Sequence, residues 1–144
     1  MSTHPRTRNR LEVLLGAGWA STEGLRFLPP FGFLDYVRLE LDARCVISDS
    51  GTITEEAAIL GFPAVTIREA HERPEGMDSG VLVMSGVSPE RLLQAVRVVS
   101  AEDRGSVGTV PDYAYRNVSD KVVRILYSYV DWVQRNVWRA PTSG

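Results

Sequence analysis

Cys45-Val46-Ile47-Ser48-Asp49-Ser50-Gly51-Thr52-Ile53-Thr54-Glu55-Glu56-Ala57-Ala58-Ile59-Leu60-Gly61 is the stretch on which the fold turns. The compact apolar run Cys45 to Ser48 predicts a strand. It passes straight into the turn Asp49-Ser50-Gly51, after which Thr52 to Leu60 predicts a helix. Thr52 and Glu55 stand at capping-box spacing, Ala57 and Ala58 are good helix formers, and Gly61 is a C-terminal stop. A short strand feeding directly into a helix is the building block of an α/β sheet.

Working outward, Phe62-Pro63 leads to Ala64-Val65-Thr66-Ile67, a second buried strand, and Val81-Leu82-Val83-Met84 is a third. The polar segment Arg68 to Gly80 between them is expected as a long loop. Ser88-Pro89-Glu90 supplies a cap, a first-turn proline and a first-turn acid for a helix through about Val99. Upstream, Thr7 to Leu15 predicts a helix ended by Gly16, Gly16 to Gly24 a loop, Leu25 to Leu28 a short strand stopped by Pro29-Pro30, and Phe33 to Leu41 a second helix. Downstream, Gly105 to Pro111 reads as a linker. Ser119-Asp120 is the expected cap of a long final helix whose Val122, Ile125, Leu126, Tyr129, Val133 and Val137 recur at three- and four-residue spacing. The alternation predicts an α/β fold with a parallel sheet flanked by helices.

The 144 residues suit about one domain. Hydrophobic residues make up 44% and charged residues 24%, enough apolar material for a core. The net charge of -2 provides no basic excess for nucleic acid. Lys121 is the only lysine, so the cationic residues are almost all arginines, whose planar fork suits phosphate or carboxylate. A single cysteine, Cys45, precludes an internal disulfide and fits a reducing, cytoplasmic compartment. Cys45 is expected as inert core. No run approaches the ~18 apolar residues of a membrane helix. His4, His71 and Cys45 are too few ligands for a structural zinc site, and no metal is expected.

Chemistry concentrates around the quoted turn. A helix N-terminus offers unpaired N–H groups and partial positive charge to an anion; Gly51 allows close approach, and the Ser50 and Thr52 hydroxyls can donate to phosphate oxygens. An ordinary N-cap explains the same turn, and neither GxGxxG nor GxxxxGK[ST] is present to decide between them. Glu55 is explained as the reciprocal capping residue. Glu56, six positions after Ser50, can accept bonds from two vicinal sugar hydroxyls or simply favour the helix dipole. His71-Glu72-Arg73-Pro74-Glu75-Gly76 places a histidine, two acids and an arginine in a loop where an α/β sheet meets its ligands. Arg73 is the residue there that can pair with an anion. With GxSxG missing, a Ser/His/Asp triad is not expected.

The string Asp49 to Ala57, then Leu60-Gly61-Phe62-Pro63 and Glu72-Arg73-Pro74-Glu75, resembles the non-hydrolysing UDP-N-acetylglucosamine 2-epimerase family. Ser2-Thr3-His4-Pro5-Arg6 and Leu34-Asp35-Tyr36-Val37 are similar to further family segments, so the resemblance covers roughly residues 1 to 130. It implies the C-terminal, Rossmann-like domain of a two-domain fold of the glycosyltransferase-B type, over residues 1–140 with a tail at 141–144, the N-terminal catalytic half lying outside this chain or on a split partner. It implies that Ser50, Gly51 and Thr52 hold the diphosphate, Glu56 the ribose hydroxyls and the backbone near Tyr36 the uracil. Arg73 faces the cleft as a possible catalytic group, and His4 lies near the cleft where some members bind a regulatory UDP-sugar. Thr52 stands where many members have glycine, which points to a subfamily using another UDP-amino sugar. The implied activity is an isomerase interconverting UDP-GlcNAc and UDP-ManNAc, or a related UDP-amino sugar, for cell-surface polysaccharide precursors. No cofactor is implied, and family members are usually homodimers. Because the family takes its acid and base mainly from the first half, this chain alone is expected to be inactive. Its final helix is expected to expose Tyr129, Trp132 and Val133 in part. The alternatives are the donor-nucleotide domain of a glycosyltransferase and a non-catalytic UDP-sugar-binding module.

Overall fold

The computed structural model describes residues 1–16, 18–101 and 108–139. Three short parallel strands form its sheet, in the order β1 (Val46–Ser48), β2 (Ala64–Thr66), β3 (Leu82–Met84). The register sets Val46 against Ala64 and Ala64 against Leu82, so all three strands end level at Ser48, Thr66 and Met84. Every residue of the central strand β2, Ala64, Val65 and Thr66, is buried, as a central parallel strand covered by helices on both faces is.

Alternation along the strands divides the core between those faces. Ala64 and Leu82 point to one cluster with Phe62, Val81 and Val110, together with Ile53 and Ala57 of α3 (Ile53–Leu60). Val65 points to the other, with Ala95 and Val99 of α5 (Pro89–Ala101), and Val83 and Cys45 pack against it. Cys45 is only half-buried, just before β1, where desolvation pushes its thiol up. α2 (Phe33–Asp42) precedes β1. α3 ends at Gly61, whose N–H donates to the Ala57 carbonyl at 2.8 Å.

Several local expectations change. α1 runs from Pro5 to Leu15 and so starts two residues before Thr7, because His4 is its N-cap, with Nδ1 accepting from the Arg6 N–H at 3.2 Å, and Pro5 fills the first helical position. Trp19–Ser21 is a single 3-10 turn within the expected loop. The expected strand at Leu25 to Leu28 shrinks to one parallel bridge between Ser2 and Leu28, since Pro29 provides no N–H to extend it. The segment Arg68 to Gly80 is not all loop: Pro74–Asp78 forms a short helix, α4. Gly76 allows its close approach to α3, because a Cβ there would lie 2.1 Å from the Thr54 Cγ2. α6 (Val118–Asn136) follows Asn117, which has φ 61 and takes the cap position assigned above to Ser119 and Asp120. None of its residues is buried. Of the expected linker Gly105 to Pro111, only 108–111 lie within the described residues, and Pro111–Tyr113 is a 3-10 turn. The tail 141–144 lies outside them.

Candidate functional site

The carboxyl ends of parallel strands are where α/β sheets leave a crevice for ligands, because the connections to the following helices diverge there. At this edge Ser48, ending β1, accepts the Ser50 N–H at 3.0 Å on its Oγ and so bends the chain toward α3. Ser50 Oγ lies 2.9 Å from Thr52 Oγ1 and accepts the Thr52 N–H at 3.3 Å. The expected capping box does not form. Thr52 has helical dihedrals, φ -74 and ψ -12, and its side chain makes no capping hydrogen bond to the first turn of α3. The intrahelical ladder begins only when the Glu56 N–H reaches the Thr52 carbonyl at 3.0 Å, leaving the first-turn donors for another acceptor.

Glu55 is also released from capping, and bonds to the Arg73 Nε instead, an ion pair in which both side chains are about two-thirds buried. That contact carries Arg73 from the residue before α4 across to the tip of α3. A second arginine, Arg68, arrives from the end of β2 and is held by Glu72 at 3.0 Å. The two guanidinium groups converge on Gly51: a Cβ there would stand 3.0 Å from Arg73 Nη1 and 3.2 Å from Arg68 Nη1. The charge-assisted bond to Glu55, and after it the Glu55 and Glu72 charges, hold Arg73 even more firmly protonated than usual. The result is a narrow recess lined by Ser50, Gly51, Thr66, Arg68, His71 and Arg73, with room as it stands for about one water, a helix N-terminus on one side and two carboxylate-paired guanidinium groups on the other. Tyr113 donates its hydroxyl to Glu75 at 2.7 Å; this bond lowers the Glu75 carboxyl, while burial and then the same bond raise the Tyr113 phenol.

On the other side of α3, Glu56 meets Tyr36 and Glu40 of α2. Burial first, then Glu40, Glu56 and Asp49, push the Tyr36 phenol up to about 12. Burial and the neighbouring Glu56 raise Glu40 to about 7. The structure thus brings Tyr36, Ser50, Gly51, Thr52, Glu56 and Arg73 around one helix tip, whereas His4 is exposed and occupied in capping α1. Reading the sequence missed Arg68 and Glu40. The signal for Arg68 was its place immediately after a buried strand, at the ligand edge; Glu40 gave none, since an acid in an amphipathic helix reads as solvated. A wider groove lined by Arg8, Glu12, Trp19, Ala20 and Phe27 lies apart from this turn and holds Glu12 as well as Arg8. Among the described residues there is no cluster of three or more side chains able to hold a metal, and no helix long and apolar enough to cross a membrane.

A three-stranded parallel sheet flanked by helices, with a strand-turn-helix junction at its carboxyl edge, defines a Rossmann-like α/β domain. A family model described as UDP-N-acetylglucosamine 2-epimerase matches residues 1–127. The chain belongs to that family. It is 33% identical over 126 residues to a UDP-N-acetylglucosamine 2-epimerase of Methanocaldococcus jannaschii, a match covering 87% of this chain and 34% of that protein. The solved UDP-N-acetylglucosamine 2-epimerase from Rickettsia bellii is 56% identical, with a TM-score of 0.79 over 95% of this chain and 38% of that one. The M. jannaschii enzyme in complex with UDP-GlcNAc and UDP superposes with a TM-score of 0.76 at 31% identity, over 88% of this chain and 34% of that one. The chain therefore spans about a third of the length of these relatives.

Proposed function

We propose that residues 1–140 are the C-terminal, UDP-holding domain of a UDP-amino-sugar 2-epimerase, which interconverts UDP-GlcNAc and UDP-ManNAc or a related UDP-amino sugar. The observation that carries this reading is the convergence of Arg68 and Arg73 on Gly51 at the uncapped N-terminus of α3. A diphosphate seated there meets first-turn N–H groups, the Ser50 and Thr52 hydroxyls and two guanidinium groups. Glu56 accepts from the ribose hydroxyls, and the backbone around Tyr36 receives the uracil. Thr52, in place of the smaller glycine, narrows the diphosphate end and bears on which amino sugar is used. His4 lies at the cleft that such a domain forms with its other half.

In the proposed reaction a base removes the C2 proton, the C1–O bond breaks anti to it, and UDP leaves behind a 2-acetamidoglucal. Protonation of C2 from the opposite face and return of the UDP oxygen to C1 give the epimer, with no net oxidation. The base and acid belong to the other half of the two-domain protein. This domain's work is to stabilise the departing diphosphate and keep it for return, and Arg73 is the group closest to that developing charge. Family membership supports elimination and return over transfer of the sugar to an acceptor. The chain alone is inactive in this reading, and the complete protein works as a homodimer in the cytoplasm, supplying cell-surface polysaccharide precursors. Thermal unfolding with UDP, uridine and pyrophosphate tests the site: UDP is expected to raise Tm more than either part, and equal shifts for UDP and pyrophosphate would remove the nucleoside from the reading.

A further inference from the structure

Glu40 is 3% exposed, the only charged side chain among the described residues that is buried so completely. Neither of its carboxyl oxygens has a hydrogen-bond partner, and Oε2 of Glu56, also buried, has none. The groups that face Glu40 are Glu56 of α3, whose charge adds to the effect of burial in raising it, and Tyr36 of its own helix. Tyr36 favours the charged form without satisfying either oxygen. Asp49, in the turn between β1 and α3, adds a further negative charge felt at Tyr36. No cation figures among the groups that shift Glu40.

Two ionised carboxylates are acceptors only and cannot satisfy one another; a single proton between them converts that repulsion into a donor–acceptor pair. Burial presses the same way, because an unpaired charge removed from water is costly. We propose that Glu40 is a positioning residue for the nucleotide: held as the neutral acid, it donates its proton to Glu56 Oε2 and so orients the Glu56 carboxylate, whose other oxygen then takes the ribose hydroxyls. The inference rests on the reading of Glu56 as the ribose acceptor given above. It makes nucleotide affinity depend on a proton that the ligand never touches. As pH rises through about 7, where Glu40 gives up its proton, the pair becomes two repelling anions and the grip on ribose loosens.

The test is calorimetric titration of UDP-GlcNAc, whose diphosphate diester keeps a constant charge across this range, into the 144-residue chain. At about pH 8.5, some one and a half units above the Glu40 value, binding that requires the proton is expected to weaken by up to about thirtyfold relative to about pH 6. Glu40→Gln keeps a donor that does not titrate, and should bind equally at both pH values. Glu40→Leu removes the donor and should bind weakly at both, so that the glutamine variant rescues what leucine loses. Carboxyl 13C NMR of the glutamate-labelled wild type reads the pair without ligand or variant: a resonance titrating near neutral pH is expected. A wild-type affinity as flat with pH as that of Glu40→Gln, or a Glu40 that titrates with ordinary carboxylates, overturns the inference and leaves the UDP reading standing. A wild type that binds UDP-GlcNAc at neither pH overturns the UDP reading and the role of Glu40 with it.

Discussion

Replacing Gly51 by alanine separates the anion cradle from the fold. The backbone at Gly51 is not among the positive-φ positions, so alanine adopts it without strain. By narrowing the unfolded ensemble, the change adds about 0.4–1 kcal/mol to stability. Against this, the new methyl would stand 3.0 Å from Arg73 Nη1, 3.2 Å from Arg68 Nη1 and 3.7 Å from Glu72 Oε2. All three are the far ends of flexible side chains and can retreat by a few tenths of an ångström, so Tm should stay within a few degrees of the wild type. In the proposed site the methyl then occupies the place a phosphate oxygen would take against the backbone, and it pushes both guanidinium groups outward. Losing one hydrogen bond to a charged group costs about 1.5–3 kcal/mol, or about ten- to 150-fold in Kd. Calorimetry with UDP beside thermal denaturation reads both quantities. Unchanged UDP affinity in a folded Gly51→Ala chain would refute the placement of the diphosphate; a large fall in Tm would refute the claim that the surroundings of Gly51 serve a ligand and not the fold.

Other consequences follow from particular residues. Phe62→Ala removes a side chain only 1% exposed at the centre of the α3-side core; a cost of about 3–5 kcal/mol, a large part of a small domain's stability, should appear as a lower urea midpoint, and a change under 1 kcal/mol would contradict that packing. Glu40 in the folded chain, at about 7, lies above its ordinary 4.5. Between these values the unfolded chain therefore binds fewer protons, so stability falls as pH rises from about 4.5 to about 7 and levels off beyond. Glu40→Gln should lack this fall when Tm is followed across the range, and parallel curves would contradict it. On α6, Leu126 and Trp132 are 56% and 50% exposed within one apolar stripe; concentration-dependent association in sedimentation should weaken in Leu126→Glu, whereas a wild type that stays monomeric at all concentrations would show that this face is not adhesive.

Much of this architecture was legible because it depends on short-range pattern. The short runs at Val46, Ala64 and Leu82, the first and last followed by a clear helical signal, pointed to a parallel sheet, and Gly61 marked the end of α3 as expected. What escaped depended on partners distant in sequence. Glu55 has correct capping spacing, yet Arg73, eighteen positions away, outbids the Thr52 N–H for its carboxylate. Pro74–Asp78 was hidden because a five-residue helix has no period to detect, and its docking relies on Gly76 meeting Thr54. The candidate site was read from one turn and one loop, and the structure brings residues of both together at Gly51. Arg68 was overlooked although its place after a buried strand was a signal, because its convergence with Arg73 on Gly51 depends on packing between segments distant from that turn in sequence. Glu40 was overlooked because burial of a single acid by a neighbouring helix leaves no trace in periodicity.

The central claim, that the tip of α3 holds UDP, is tested most directly by calorimetric titration of UDP into the wild-type chain, Ser50→Ala and Glu56→Ala. The account predicts binding by the wild type that weakens in both folded variants, with the diphosphate side affected in one and the ribose side in the other. A folded wild type that does not bind UDP, or variants that bind it as tightly as the wild type, would contradict it.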